Sequence, residues 1–195
     1  MTRESFGVIK PEIRVLGVDD GVFTPHVESL VLIVGVVFRG GYWLDGVMHS
    51  AILVDGFDAT EKISNMVKNS PHYEELRVIM LNGITFAGFN VVDIKALNAA
   101  TGLPIVAVTR EKPDLPRIQR ALKHLPRSEE RWKAVLNAGQ IAEISTRNEN
   151  EKVYLHTAGV SLIDAEKIVR LTSTRSNIPE ALRVAHLVAS GISDV

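Results

Sequence analysis

The longest apolar run in the chain is nine residues, Leu30 to Phe38, with Gly35 inside it. It limits what this part of the chain can become. A membrane-crossing helix needs about 20 apolar residues, so the run cannot span a bilayer as a helix. Its Val and Ile content reads as a buried strand. The Gly40-Gly41 pair behind it offers the positive φ values of a tight hairpin turn. Before the run, Ile13 to Asp19 reads as a strand, with Asp20-Gly21 as its turn-like end. After it, Tyr42 to Val54 reads as the returning strand, with a break expected near Asp45-Gly46. Three strands joined in this way form an antiparallel meander.

The pattern then changes. Asp58 to about Asn69 reads as a helix, with Asp58 as cap and Glu61 as its reciprocal partner. Arg77 to Leu81 reads as a short buried strand. Asn90 to Ala100 reads as a helix ending near Gly102, and Pro104 to Val108 as another buried strand. This alternation implies parallel pairing through right-handed crossovers. The remainder reads as mainly helical. The expected helices are Leu115 to Leu125 with Asp114 as cap, Ser128 to Leu136, Ser161 to Leu171, and Pro179 to Ser190 with Gly191 as C-cap. A short hairpin is expected between Ala142–Ser145 and Lys152–His156. The expected fold is therefore α/β, with the element order of a ribonuclease H-like mixed sheet followed by C-terminal helices. The 195 residues are read as one domain, with a core at about 13–112 and a mainly helical extension at about 113–195. A chain of this length buries roughly 70% of its unfolded surface.

Composition excludes several classes. With no cysteine there is no disulfide framework, thiol nucleophile or thiolate metal site. Hydrophobic residues at 46% and charged residues at 23% describe a soluble globular chain. Met1 to Ser5 carries no apolar core or cleavage site of a signal peptide, so a cytoplasmic location is expected. The histidines show no metal-ligand spacing, and His186 reads as a packed or half-exposed residue of an amphipathic helix. No phosphate-binding glycine loop and no nucleophile elbow is present.

Open α/β sheets bind ligands at the carboxyl ends of their parallel strands, so the residues there carry the chemistry. The ends read Asp19-Asp20-Gly21, Asp55-Gly56-Phe57-Asp58, Asn82-Gly83 and Thr109-Arg110-Glu111-Lys112. Oxygen ligands gathered from several strands suit Mg²⁺ or Mn²⁺. Each acid also has a structural reading. Asp20-Gly21 and Asp55-Gly56 are turn pairs, Asp58 is a cap, and Asn90 with Asp93 is a second capping arrangement. Asp19 stands apart, because it ends an apolar strand where a lone buried carboxylate is costly.

Charge is uneven. Residues 1–65 hold five Lys/Arg against nine Asp/Glu, whereas residues 110–133 hold eight against four. Arg117, Arg120 and Lys123 recur at helical spacing and can share one face. That face is either an ordinary solvated surface or a track for a phosphodiester backbone.

Four segments carry a resemblance: Gly17-Val18-Asp19-Asp20-Gly21, Asp55-Gly56-Phe57-Asp58-Ala59-Thr60, Asn82 to Asp93 (NGITFAGFNVVD), and Thr101 to Arg110 (TGLPIVAVTR). The chain resembles the archaeal endonuclease dU family over nearly its whole length. Over roughly residues 13–112 it is more remotely similar to endonuclease V, a ribonuclease H-like enzyme. The resemblance implies a Mg²⁺-dependent endonuclease that cuts DNA near a deaminated base, uracil or else inosine, in DNA repair. It implies Asp19 as a metal ligand, Asp58 (or Asp55) as the second, and Arg110 near a functional lysine. The third acid of endonuclease V is replaced here by Asn82, with Asp20, Asp55 or Asp93 as candidates for compensation. An amide oxygen ligates without adding charge, so a weaker metal site is expected. Gly83, Gly88, Asn90 and Asp93 are the expected walls of a pocket for an unstacked base. The expected partner is DNA, with RNA as the alternative. No membrane contact is expected, and a homo-oligomer is left open. Two other functions compete: a catalytically weak or inactive nucleic-acid-binding relative, and a phosphate-ligand binding protein.

Overall fold

The computed structural model describes residues 6–148 and 150–193. The reading of Met1 to Ser5 lies outside the described residues. Three antiparallel strands, β1 (Arg14–Asp20), β2 (Leu30–Arg39) and β3 (Trp43–Leu53), form the meander. The β2–β3 register shifts so that Asp45 is left over between Leu44 and Gly46, a bulge at the expected break. Helix α1 (Ala59–Lys68) leads to β4 (Val78–Asn82). A two-stranded ribbon, β5 (Thr85–Phe86) with β6 (Asn90–Val91), precedes α2 (Ile94–Thr101) and β7 (Ile105–Thr109). Two short helices, α3 (Leu115–Leu122) and α4 (Ser128–Asn137), then precede the hairpin β8 (Ala142–Ser145) and β9 (Lys152–Ala158). Helices α5 (Leu162–Thr172) and α6 (Glu180–Ile192) follow. The main sheet runs β3-β2-β1-β4-β7-β9-β8. The pairs β1/β4 and β4/β7 are parallel and the others antiparallel. This is the expected mixed ribonuclease H-like sheet.

Several local expectations are corrected. Asn90 starts a strand, and α2 begins only after Asp93, whose carboxylate accepts from Lys95 N and Ala96 N. The Asp58 side chain caps nothing in α1, because it turns back to other partners. Gly191 lies inside the last turn of α6. The β8–β9 hairpin extends the main sheet beside β7, so the C-terminal part is less purely helical than its sequence suggests. Among the described residues no helix is long and apolar enough to cross a membrane.

The sheet is buried on both faces, which is why its central strands read as continuous apolar runs. Leu16 and Val18 join Ile63, Leu97 and Phe86 in one core; Val15, Val34 and Met80 join Ala181 and Ala185 in the other. Alternation along β1 therefore assigns Asp19 to the α6 face and Asp20 to the α1–α2 face. Gly17 sets the depth of α6. A Cβ there would lie 2.3 Å from the Ala181 carbonyl carbon, so the helix backbone rests directly on β1. The fully buried Ala181, Ala185 and Ala189 make that approach possible. Packing at this depth carries α6 along β1 toward its carboxyl end.

Candidate active site

Parallel pairing places the end of β1 beside the end of β4, with Val18 opposite Leu81. Asp19 and Asn82 are thus neighbours, and Asn82 Nδ2 donates to Asp19 Oδ2 at 3.0 Å. The depth of α6 brings His186 to the same oxygen, with Nδ1 at 3.0 Å. The backbone N–H of Asp20 donates to Asp19 Oδ1. The Asp19 side chain is only 3% exposed, whereas that of His186 is 59% exposed. Burial, reinforced by the charge of Asp20, pushes the Asp19 carboxyl up to about 6, against the bonds from Asn82 and Asp20 N–H and the His186 charge. Burial also raises Asp20, partly offset by the N–H of Ala87.

A second network lies on the α1–α2 face. Asp55 adopts a left-handed φ of 49°. Its N–H donates to Ala87 O and its Oδ1 accepts from Phe89 N. Ala87 therefore ties the end of β1, through Asp20, to the loop after β3. Gly88 has φ 88°, and a Cβ there would lie 2.4 Å from Asp55 Oδ1; both facts favour glycine. Asp58 Oδ1 accepts from Asn90 Nδ2 at 2.7 Å and from Leu53 N at 3.3 Å. The buried Asn90 returns its Oδ1 to Ala59 N, satisfying an early N–H of α1 in place of a local cap.

One residue binds this loop to α4. Arg131, 2% exposed, donates to the carbonyls of Asp55, Gly56, Phe89 and Pro126. Its guanidinium carbon sits 3.8 Å from the Phe57 ring centroid, and that of Arg127 lies 3.9 Å from the same ring. Two charges of the basic segment thus meet the loop of the acidic one.

The sequence candidates therefore divide. Asp19, Asp20 and Asn82 share the end of β1 and β4. Asp55, Asp58, Gly88 and Asn90 share the adjoining loop network. Asp93 caps α2 and accepts from Asn137 Nδ2 at 2.9 Å. Gly83, with φ 78°, turns the chain after β4. Arg110 is exposed beyond β7, and Arg117, Arg120 and Lys123 are exposed on and just after α3. Sequence reading missed the roles of His186 and Arg131. The alanine stripe of α6 opposite Gly17 was the one available signal for the first, and the second had none.

Among the described residues no three His, Asp or Glu side chains are grouped to hold a metal. The donor chemistry nevertheless suits a hard divalent cation. Asp19 and Asp20 are adjacent carboxylates with hindered ionisation. The Asn82 amide could turn its oxygen to an ion beside Asp19.

A mixed sheet of this order, three antiparallel strands followed by parallel ones, is the ribonuclease H-like architecture of endonuclease V. The structure of Ciona intestinalis endonuclease V, in complex with DNA containing an inosine, matches with a TM-score of 0.57 at 16% identity, covering 89% of this chain and 82% of that one. The chain itself belongs to the Endonuclease dU family, whose profile matches residues 11–193. A Methanosarcina acetivorans relative called a UPF0215 protein is 55% identical over 184 residues, 94% of this chain and 92% of its own length. The crystal structure of a protein from Archaeoglobus fulgidus is 38% identical with a TM-score of 0.83, covering 92% of this chain and 98% of that one.

Proposed function

We propose that the protein is a divalent-metal-dependent endonuclease that hydrolyses a phosphodiester in DNA carrying a deaminated base, uracil foremost and inosine second. The observation that carries this reading is the Asp19–Asn82–His186 cluster at the carboxyl ends of two parallel strands, in a chain of this family. Asp19 and Asn82 would hold Mg²⁺ or Mn²⁺ from the α6 side of the strand end. They would be joined by Asp20, which starts on the opposite face but whose carboxyl reaches hydrogen-bonding range of Asp19 there, with Asp58 or Asp55 as the source of a further carboxylate. When bound, the ion would acidify a water and stabilise charge on the scissile phosphate. The chain's own groups do the rest. Asp19 orients the His186 imidazole through Nδ1, so that Nε2 can exchange a proton with the attacking water or leaving oxygen. Arg110 lies beyond the next strand, where it can meet phosphate charge. The turn at Gly83, where a Cβ would meet only the Thr109 methyl at 3.4 Å, allows an unstacked base to approach the backbone closely, whereas the space beside Gly88 is already taken by the Asp55 carboxylate.

The test incubates the full chain and Mg²⁺ or Mn²⁺ with uracil-, inosine- and normal-base oligonucleotides. Wild type should nick the uracil substrate, and Asp19→Ala should fall to background. Equal nicking by the two would refute the reading. A second reading, a catalytically weak relative, is favoured by one observation: Asn82 stands at the position where a third carboxylate would add ligand charge. A gain of activity in Asn82→Asp would support it.

A further inference from the structure

Beyond β7, three distant parts of the chain close a cleft of about 730 Å³. Arg110 comes from the end of β7, Arg147 and Lys152 from the β8–β9 hairpin, and Arg175 from the link between α5 and α6. Asn177 also lines it, and Glu151 is the one carboxylate among the described lining residues. All four basic side chains belong to exposed residues. Their hydrogen bonds leave the charge largely uncompensated. Lys152 Nζ donates to the hydroxyl of Ser145 at 2.9 Å, and Arg147 donates to the carbonyl of Thr174. Arg175 lies 3.9 Å from Glu180, but Arg183 already holds both oxygens of that carboxylate at 2.8–3.1 Å. Four cations beside one carboxylate repel one another, and a polyanion would relieve the repulsion.

The position of the cleft indicates which polyanion. Asn82, the partner of Asp19, pairs with Val108. Arg110 stands one strand over and two residues further on. Strand geometry puts it on the order of 10 Å from Asn82, one or two nucleotides along a strand lying over Asp19. The described lining contains no aromatic side chain, so no platform for stacking bases is present.

We infer that this cleft is a phosphodiester-backbone subsite that holds the nucleic-acid strand flanking the cut without reading its sequence. The inference rests on the nuclease reading for the identity of the strand. It adds a second track, built from Arg147, Lys152 and Arg175, to the α3 face read from sequence.

Binding of labelled single-stranded oligonucleotides of two unrelated sequences, across a salt series, tests it. Arg147→Ala/Lys152→Ala should weaken both complexes by the same factor. The slope of log affinity against log salt should fall by about 1.4, roughly 0.7 for each phosphate no longer neutralised. Arg147→Lys/Lys152→Arg should restore the slope, which separates charge from folding. Inorganic pyrophosphate should compete only weakly. Competition by pyrophosphate as strong as by the oligonucleotide would assign the cleft to a free anion and overturn the inference. An unchanged slope, or a loss confined to one sequence, would also overturn it. Uracil-directed nicking with an unaltered slope in the alanine variant overturns the cleft alone. Binding with the expected slope change but no nicking overturns the nuclease reading alone. No binding by wild type overturns both.

Discussion

Replacing Arg131 by Met removes a buried charged donor while keeping much of its length and apolar stem. Four carbonyl oxygens, those of Asp55, Gly56, Phe89 and Pro126, lose their donor, and one face of Phe57 loses its cation. Hydrogen bonds to charged groups contribute about 1.5–3 kcal/mol each, but burying the guanidinium offsets part of this, leaving roughly 1 kcal/mol per carbonyl. With about 0.5–1 kcal/mol for the ring contact, the expected loss is about 4–5 kcal/mol. At about 2–4 °C per kcal/mol for a chain of this size, the midpoint should fall by on the order of 10–15 °C. Arg131→Lys keeps the charge but cannot reach all four carbonyls, and should lose about half as much. Thermal melts followed by circular dichroism measure the shift. Hydrogen exchange adds a local readout, because the Asp55 and Phe89 amides are bonded within the clamped network and should exchange faster in the Met variant. A midpoint shift under about 3 °C, with those two amides unchanged, would show that α4 does not hold the loop.

Asp19 is the opposite case, a group that costs stability. Its folded pKa of about 6 lies above the ordinary 3.8, so the stabilising contribution is full below the ordinary value and lost as pH rises through about 6. Asp19→Asn should therefore raise stability at pH 7 in chelator, by up to about 3 kcal/mol, and should abolish the rise in melting temperature that the proposed site predicts for the wild type in Mg²⁺; an Asn variant that is less stable and equally responsive to Mg²⁺ would count against this site. Burial holds the His156 imidazole below its ordinary value, despite bonds to the carbonyls of Ala138 and Gly139. The unfolded chain then takes the proton first, so stability should fall as pH drops below about 6.5, and urea unfolding of His156→Gln should lack that component of the slope; an identical slope would show that His156 takes up no proton on unfolding. Gly17→Val would drive side-chain atoms into the Ala181 backbone, and overpacking of this kind costs about 1–3 kcal/mol or more. Nicking should fall by more than the lost stability explains, since α6 also positions His186; full activity at a temperature where the variant is folded would refute that coupling.

Much of the fold was legible because its signals are local. The apolar run of β2, the break near Asp45 and the cap Asp114 depend on residues within a few positions of one another. The ribbon at Thr85–Phe86 and Asn90–Val91 escaped notice because two-residue strands have no readable period, and Asn90 looked like the start of a helix. Asp58 looked like a cap because an Asp before a helix usually is one; its carboxylate turned instead to Asn90, 32 residues away.

By itself the sequence determined the order of the longer strands and helices, the burial of Asp19 at a strand end and the separation of an acidic from a basic region. Periodicity and turn chemistry act over a few residues, and charge can be read position by position. Only the tertiary structure decided what those groups meet. It brought His186 to Asp19 across 167 positions, Arg131 to the Gly56 carbonyl across 75, and the β8–β9 hairpin beside β7. Each of these meetings depends on how closely two distant surfaces pack, as Gly17 shows for α6. That depth follows from both surfaces together, so neither segment reveals it alone.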